Sequence, residues 1–313
     1  MLPDAEDLPE LLLDLAVPHE DINELIALRR TVTGDPGSRR LLAECVDELF
    51  RGLDEPGRDP GLDERLAEAP RSAHDTFAAF VFLAAHPHTV ALHRERGIPA
   101  GTTRRTLADL GRQMAVHRRR HGSTGLRSPR WLARHFRGEV YQLGRLQFER
   151  ARLGERTAAA VAANGVPARP GTACLNLHIP DFRGPLTPAA CDRSLEQARD
   201  FFPLHFPEEQ PVAAVCHSWL LDRQLRNRLP ADSHIVRFQK RFGIAHEDTG
   251  PADTEPVQFV FGDPGLPVAG LPGRTSVERA VRDHLLAGGH WYIGHGWFPL
   301  PLVARPESNP SNE

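Results

Sequence analysis

Apolar residues recur three and four apart along the first part of the chain, and this spacing predicts a run of amphipathic helices. Leu11, Leu12 and Leu15 share one face, and Ile22, Leu25 and Ile26 share another on a helix that begins after Pro18-His19-Glu20-Asp21. Beyond the Gly-Asp-Pro-Gly turn at 34–37 the spacing returns in Leu41, Leu42, Val46, Leu49 and Phe50. Residues 51–63, rich in Gly, Pro and Asp, read as a loop. A strongly apolar helix from Phe77 to Ala85 is expected to stop at Pro87, which has no N–H to donate and crowds the turn before it. Thr106 is expected to cap a further helix with Leu107, Leu110, Met114 and His117 on one stripe.

The pattern changes near residue 138. From Val140 to Arg150 it alternates, with Tyr141, Leu143, Arg145, Gln147 and Glu149 on one side, and predicts a strand. Thr172–Ile179 reads as a second strand, closed by Pro180, and Thr187-Pro188 opens a helix bearing Leu195, Ala198, Phe201 and Phe202. Val212–Leu221 is a nearly continuous apolar strand, followed by a helix from Asp232-Ser233 through Phe242. Val257–Phe261 reads as a fourth strand, 276–287 as a helix ended by Gly288-Gly289, and Trp291–Leu300 as a final strand or pair. Such alternation is that of an α/β or α+β domain. The expected layout is a helical N-terminal domain over 1–137, a mixed-sheet domain over 138–305 and a short disordered tail at 306–313.

Composition narrows the picture. A chain of 313 residues has the length of two domains, and 25% charged residues beside 40% apolar ones excludes wholesale disorder. A net charge of −3 argues against a nucleic-acid partner. The one basic run, His117-Arg-Arg-Arg-His121, falls at a helix end, where cations suit the dipole, and has no interleaved aromatics. No apolar stretch approaches the ~20 residues of a membrane span, and the acidic N-terminus is unlike a secretory signal, so a cytoplasmic protein without a membrane partner is expected. Cys45, Cys174, Cys191 and Cys216 are scattered and read as reduced thiols. The 16 histidines show no HExxH or Cys/His ligand spacing, and no metal site is expected.

Several strings carry more information. Leu-Ala-Asp-Leu-Gly-Arg at 107–112, His-Phe-Arg-Gly at 135–138, Tyr-Gln-Leu-Gly-Arg-Leu-Gln-Phe at 141–148, Cys-His-Ser-Trp-Leu-Leu at 216–221, Arg-Phe-Gln-Lys-Arg-Phe at 237–242 and Gly-Gly-His-Trp at 288–291 stand in this order. Together they resemble an actinomycete family that pairs a helical N-terminal domain with a GNAT-like C-terminal domain. Its characterised members are long-chain N-acyltransferases of antibiotic biosynthesis, which lipidate the aminosugar of teicoplanin-type glycopeptides. The resemblance implies acyl-CoA as co-substrate, a small-molecule amine acceptor and two strands that splay apart around the pantetheine. It also implies that the pyrophosphate rests on the N-terminus of the helix after the first of those strands. The phosphate loop usual in GNAT enzymes is missing after Leu221, so phosphate binding is expected at the helix start near Ser233 and at arginines.

Acyl transfer to an amine needs a group that accepts the amine's proton and donors for the oxyanion. His217, within the apolar strand, is the candidate base, because a buried imidazole costs free energy unless it is hydrogen-bonded. His178 with Asn176, and Glu149 with Gln147, are expected near the same cleft, with Glu149 able to orient an amine or an imidazole. Tyr292 is the candidate general acid. Arg237, Lys240 and Arg241 share a helix face that could meet CoA phosphates, with Arg223, Arg226 and Arg228 as competitors. Trp219 and Leu220 are expected on the CoA side, and Trp219, Trp291 and Trp297 as lining of an acyl channel. Two other readings are a short-chain acetyltransferase acting on a different amine and a catalytically silent CoA-binding module.

Overall fold

In a computed structural model that describes residues 2–53, 57, 60–70, 74–126, 128–180 and 183–300, helices fill the first part of the chain and a six-stranded sheet organises the second. The predicted tail at 306–313 lies outside the described residues. The helices are α1 (Leu8–Asp14), α2 (His19–Gly34), α3 (Pro36–Phe50), α4 (Leu62–Leu66), α5 (His74–Glu95), α6 (Ala100–Leu107), α7 (Asp109–His121) and α8 (Pro129–Phe136). Their apolar faces meet in one core around Leu12, Leu25, Leu49, Phe77, Phe80 and Phe136.

Two expectations about this half need correction. α5 runs through Pro87 to Glu95. Every residue from Thr76 to Ala85 is buried, and Thr89 Oγ1 donates to the Phe136 carbonyl at 2.7 Å beyond the proline. Packing on both sides thus offsets the ~3 kcal/mol that an interior proline costs. Thr106 does not open a helix. It lies at the end of α6, and its Oγ1 accepts from the Gln142 amide at 3.0 Å, tying α6 to the sheet.

The sheet order is β1-β2-β3-β4-β6-β5, from β1 (Val140–Leu143), β2 (Leu146–Arg152), β3 (Ala173–His178), β4 (Ala213–Ser218), β5 (Gly243–Glu247) and β6 (Gly294–Pro299). The strand predicted from Val140 is in fact a hairpin whose last pair is Leu143 with Leu146. Gly144, at φ +69°, takes the first turn position, where a two-residue hairpin can demand glycine, and a Cβ there would lie 2.7 Å from Ser194 Oγ. The fold-back sorts side chains differently from a single strand. Tyr141, Leu143, Leu146 and Phe148 enter the core beneath α10 (Pro188–His205), while Gln147 and Glu149 face the other way.

Val257–Phe261 is helical, within α12 (Thr254–Phe261), not a strand. Five apolar residues cannot distinguish the two states, and here Pro256 near the start and Gly262 at φ +87° after the end favour a helix. The predicted strand to Leu221 ends at Ser218 and passes into a short 3-10 turn, Trp219–Leu221. Helix α9 (Glu155–Ala163) packs on one face of the sheet through Ala158, Val161, Val215 and Trp297. α10 and α11 (His234–Gln239) cover the other. α13 (Ser276–Leu286), closed by a Thr275/Glu278 capping box, builds a further cluster with α12, Trp219 and Trp291.

Buried histidines make this fold sensitive to acid. His93 is 1% exposed, its Nδ1 shares a 3.0 Å hydrogen bond with Thr103 Oγ1, and burial holds its pKa down to about 4. An unfolded chain takes up this proton near pH 6.5, the folded one only near pH 4, so stability falls as pH drops between those values. Urea unfolding at pH 7 and pH 5 should show the parent losing about 2 kcal/mol more than His93→Gln. Parallel losses in the two proteins would exclude His93 as the source.

Candidate active site

β3 and β4 are the only parallel neighbours in the described sheet, and they pair only through Leu175 with Ala214 and Asn176 with Val215. Past that point the ladder stops and the sheet opens, between His178 at the end of β3 and His217 at the end of β4. Strand alternation and register put Gln147 and Glu149 of β2, Asn176 and His178 of β3, His217 of β4 and His295 of β6 on one face.

On the β2 side that face is a closed ionic network. Glu149 Oε2 accepts from His178 Nε2 at 2.7 Å and Asn176 Nδ2 at 3.0 Å, while Oε1 accepts from Arg134 of α8 at 2.5 Å. Burial opposes ionisation of Glu149, but these partners outweigh it and hold its carboxyl below the usual range. Trp131 of α8 stands edge-on to the His178 ring, centroids 4.6 Å apart. Glu149 therefore holds the imidazole of His178, and three of its roughly four acceptor directions are taken within the protein.

On the other side lies a different arrangement. His217 and His295 are opposite one another across β4 and β6, with their Nδ1 atoms 2.6 Å apart, and His295 Nε2 lies 3.0 Å from Asp248 Oδ1. A carboxylate only accepts, so the network assigns the His295 proton to Nε2 and leaves Nδ1 to accept from His217 Nδ1–H. His217 Nε2 then carries the lone pair, the arrangement of a general base. His217 is solvent-exposed rather than buried as its apolar strand suggested, yet the protein around it, then His295, His178 and His246, hold its pKa down to about 4. It is neutral at pH 7.

The remaining predicted residues disperse. Tyr292 follows α13, and its backbone N–H donates to Asp222 Oδ2 at 2.9 Å, while its hydroxyl has no hydrogen-bond partner among the described residues. Trp219 and Leu220 are 3% exposed and belong to the core around Trp291, and Trp297 packs under α9. Ser233 caps α11 by accepting from Val236 N at 3.3 Å. Arg237 is exposed, Lys240 reaches the Ala231 carbonyl, and Arg241 pairs with Asp192 at 2.6 Å.

The resemblance puts the pyrophosphate on the helix after the first splayed strand. The first strand of the parallel pair is β3, and the helix after it is α10, capped by Thr187, so the start of α11 at Ser233 follows the second strand instead. Arg183 lies in the β3–α10 connection. Its Nε is buried with no partner among the described residues, and burial, then Arg112, with Arg105 and Arg145 adding to it and Asp109 opposing, keeps its pKa below the usual range. Three further guanidiniums near the unpaired donor, of which Arg112 is already paired with Asp109, form an environment that favours an anion. Arg145 also holds the connection's shape by donating to the Pro180 and Gly184 carbonyls.

Sequence reasoning missed this arginine cluster together with His295, His246 and Asp248. One signal was there to read: His295 is flanked by Gly294 and Gly296, where a Cβ would meet Leu221 at 2.8 and 2.7 Å. Glycine on both sides of a strand histidine marks a close backbone approach.

A mixed sheet opened between its two parallel strands, with an imidazole at the opening, is the layout expected of a GNAT-like domain. The chain belongs to this N-acyltransferase family: residues 6–138 match the N-acyltransferase N-terminal domain and residues 140–298 the GNAT-like C-terminal domain. Among solved structures it is similar to an acyltransferase in complex with decanoyl-CoA and teicoplanin, at 35% identity and a TM-score of 0.83 over 96% of this chain and 90% of that one. It is equally similar to the acyltransferase mutant orf11*-W163A in complex with octanoyl-CoA, at 35% identity and a TM-score of 0.84 over the same shares. A search of curated proteins gives no match. No described helix is long and apolar enough to cross a membrane.

The relay has a spectroscopic consequence. At pH 5.5 an ordinary imidazole is about nine-tenths protonated, whereas His217 should remain neutral, with its proton on Nδ1. Long-range 15N–1H correlation spectra of 15N-histidine-labelled protein, assigned with His217→Gln, report both properties. A doubly protonated His217 at pH 5.5, or a proton on Nε2 at pH 7, would contradict the relay.

Proposed function

We propose that this enzyme transfers a medium- or long-chain acyl group from acyl-CoA to the amine of a small-molecule acceptor, with a glycopeptide aminosugar as the acceptor class, by direct attack in a ternary complex. The observation that carries this reading is the Asp248–His295–His217 relay at the opening of β3 and β4, in a chain so similar to acyltransferases that hold decanoyl-CoA and teicoplanin.

The neutral amine attacks the thioester carbonyl, forming the C–N bond and an oxyanion that backbone N–H groups of the opened strands would stabilise. The nitrogen, now cationic and far more acidic than the free ammonium, gives its proton to His217 Nε2. Collapse then breaks the C–S bond and releases CoA as a thiolate, a fair leaving group since thiols ionise near pH 8.5. His295 and Asp248 orient His217 and stabilise the imidazolium. An acyl-enzyme on the adjacent Cys216 is disfavoured, because that thiol is 1% exposed, packs on the opposite face and is pushed up to about 12.

For the donor, the CoA phosphates fit the start of α10 together with Arg183, Arg112, Arg105 and Arg145. The acyl preference follows from chain burial. Each methylene taken from water contributes about 0.8 kcal/mol, so partial burial of a decanoyl chain is enough for a preference of about a hundredfold.

Three measurements test this. With an aminosugar glycopeptide lacking its acyl chain, product formation by mass spectrometry should give a kcat/KM for decanoyl-CoA about a hundredfold above that for acetyl-CoA. His217→Ala should lower kcat by about a hundredfold or more. Preference for acetyl-CoA would favour the short-chain reading, unchanged turnover in His217→Ala would remove it as base, and no turnover with any donor would favour a silent CoA-binding module. Arg183→Ala should raise KM for decanoyl-CoA about tenfold and leave KM for decanoyl-pantetheine, which has no phosphates, unchanged. Equal effects on both donors would overturn the phosphate assignment.

A further inference from the structure

The relay has a third imidazole behind it. β5 and β6 pair antiparallel, Gly243 with Trp297 and Ile244 with Gly296, and the next pair is His246 with His295. Ala245 is thus the extra residue of a β-bulge, and the bulge brings His246 beside His295 where regular pairing would have placed Ala245. The two rings stack with centroids 3.9 Å apart. His246 Nδ1 is buried and makes no hydrogen bond among the described residues. Two residues on, Asp248 is held at this end of β6 by its backbone N–H to the Ile293 carbonyl, 3.0 Å, and its carboxylate reaches His295 Nε2.

One ligand atom each from His246, Asp248 and His295 lie within 4.8 Å of one another. Tetrahedral ligands at ~2.1 Å from zinc are about 3.4 Å apart, so the atoms must close by up to about 1.4 Å, with the two stacked rings turning to point at one ion. Asp248 has a side chain 45% exposed and is free to follow the rings. Two imidazoles and one carboxylate suit zinc and its late first-row neighbours, whereas magnesium and calcium prefer oxygen alone.

We propose that His246, His295 and Asp248 bind one first-row divalent cation, zinc matching best, and that its binding switches the base off. The second half rests on the reading of His217 as the base. A metal on His295 Nε2 takes the position of that nitrogen's proton, which moves to Nδ1. Nδ1–H then donates to His217 Nδ1, and the proton of His217 moves to Nε2 through solvent. Both rings remain neutral and no proton is lost, but His217 Nε2 has become a donor and cannot accept from the amine. The cation therefore stops transfer without touching acyl-CoA or the acceptor.

The test uses the full chain without an affinity tag, and cobalt and zinc as the probes. Cobalt titration should give the visible bands of a low-coordinate nitrogen–oxygen site at one equivalent, displaced by zinc, and His246→Gln should weaken both metals about tenfold or more. No one-equivalent binding in the parent, or equal binding in His246→Gln, would overturn the site. In the turnover assay, zinc should lower the parent's rate about tenfold or more, and the concentration needed should rise about tenfold in His246→Gln, each protein being compared with its own metal-free rate. Binding at this site with turnover unchanged would overturn the switch. The 15N spectra separate that failure from failure of the base reading: zinc should move the His217 proton from Nδ1 to Nε2 whether or not His217 is the base.

Discussion

The architecture turns on one buried carboxylate. Asp109, the first residue of α7 and 1% exposed, accepts from Arg112 Nε at 2.9 Å, Gln113 Nε2 at 3.1 Å, Trp131 Nε1 at 3.2 Å and Gln147 Nε2 at 3.0 Å. These donors come from α7, α8 and β2, so a single side chain fixes the helical half against the sheet. Burial disfavours its charge, but His135, Arg112 and the amide donors more than compensate and hold its pKa below the usual carboxylate range. A buried ion pair is weak evidence for stability in itself, since a well-packed apolar replacement can do as well. What Asp109 supplies is position: it accepts at fixed angles from three elements, which apolar packing would leave free to slide.

The cleft inherits that positioning. With α8 held on β2, Trp131 meets His178 and Arg134 meets Glu149, so the β2–β3 edge of the opening is saturated with partners. The opposite edge, on β4, β6 and β5, has imidazoles in a row and a half-exposed carboxylate at its end. Satisfaction of hydrogen bonds thus divides the work. Glu149 has three donors on its two oxygens and is held within the protein. His217 ends a chain that leaves one nitrogen uncommitted, and that nitrogen can take part in chemistry.

Much of this was legible in the sequence, and what was not has identifiable causes. Helical periodicity located the N-terminal core, and the α/β succession with its quoted strings led to the splayed pair and to His217. The misses lie where local pattern is silent about tertiary context. Pro87 is overridden by burial of the helix before it, and Gly144-Arg145 turns an apparent strand into a hairpin. Val257–Phe261 is too short for its period to decide. Asp248 and His295 are 47 residues apart and meet only through β-pairing, so no spacing rule could join them. Arg183 looked like one arginine among many. The structure sets it within electrostatic reach of Arg105, Arg112 and Arg145, with its Nε unpaired among the described residues.

The weak basicity of His217 bears on which amines such a site can use. An imidazole with a pKa of about 4 cannot strip a proton from a free ammonium, so on the proposed mechanism the acceptor must arrive neutral. A lysine side chain, at a pKa of about 10.4, is neutral in roughly one molecule in 2,500 at pH 7. An amine near pKa 8, the range of an amino group beside electron-withdrawing substituents, is neutral in about one in ten. That difference of about two hundredfold acts before any contact with the pocket, and it favours acceptors whose amine is flanked by oxygen-bearing carbons over protein side chains. On that mechanism the surrounding protein, with the neighbouring imidazoles, that makes His217 a poor base for solution chemistry would work as a filter. The base so proposed would take its proton from the acidic nitrogen of the tetrahedral intermediate and would be too weak to recruit the common lysine.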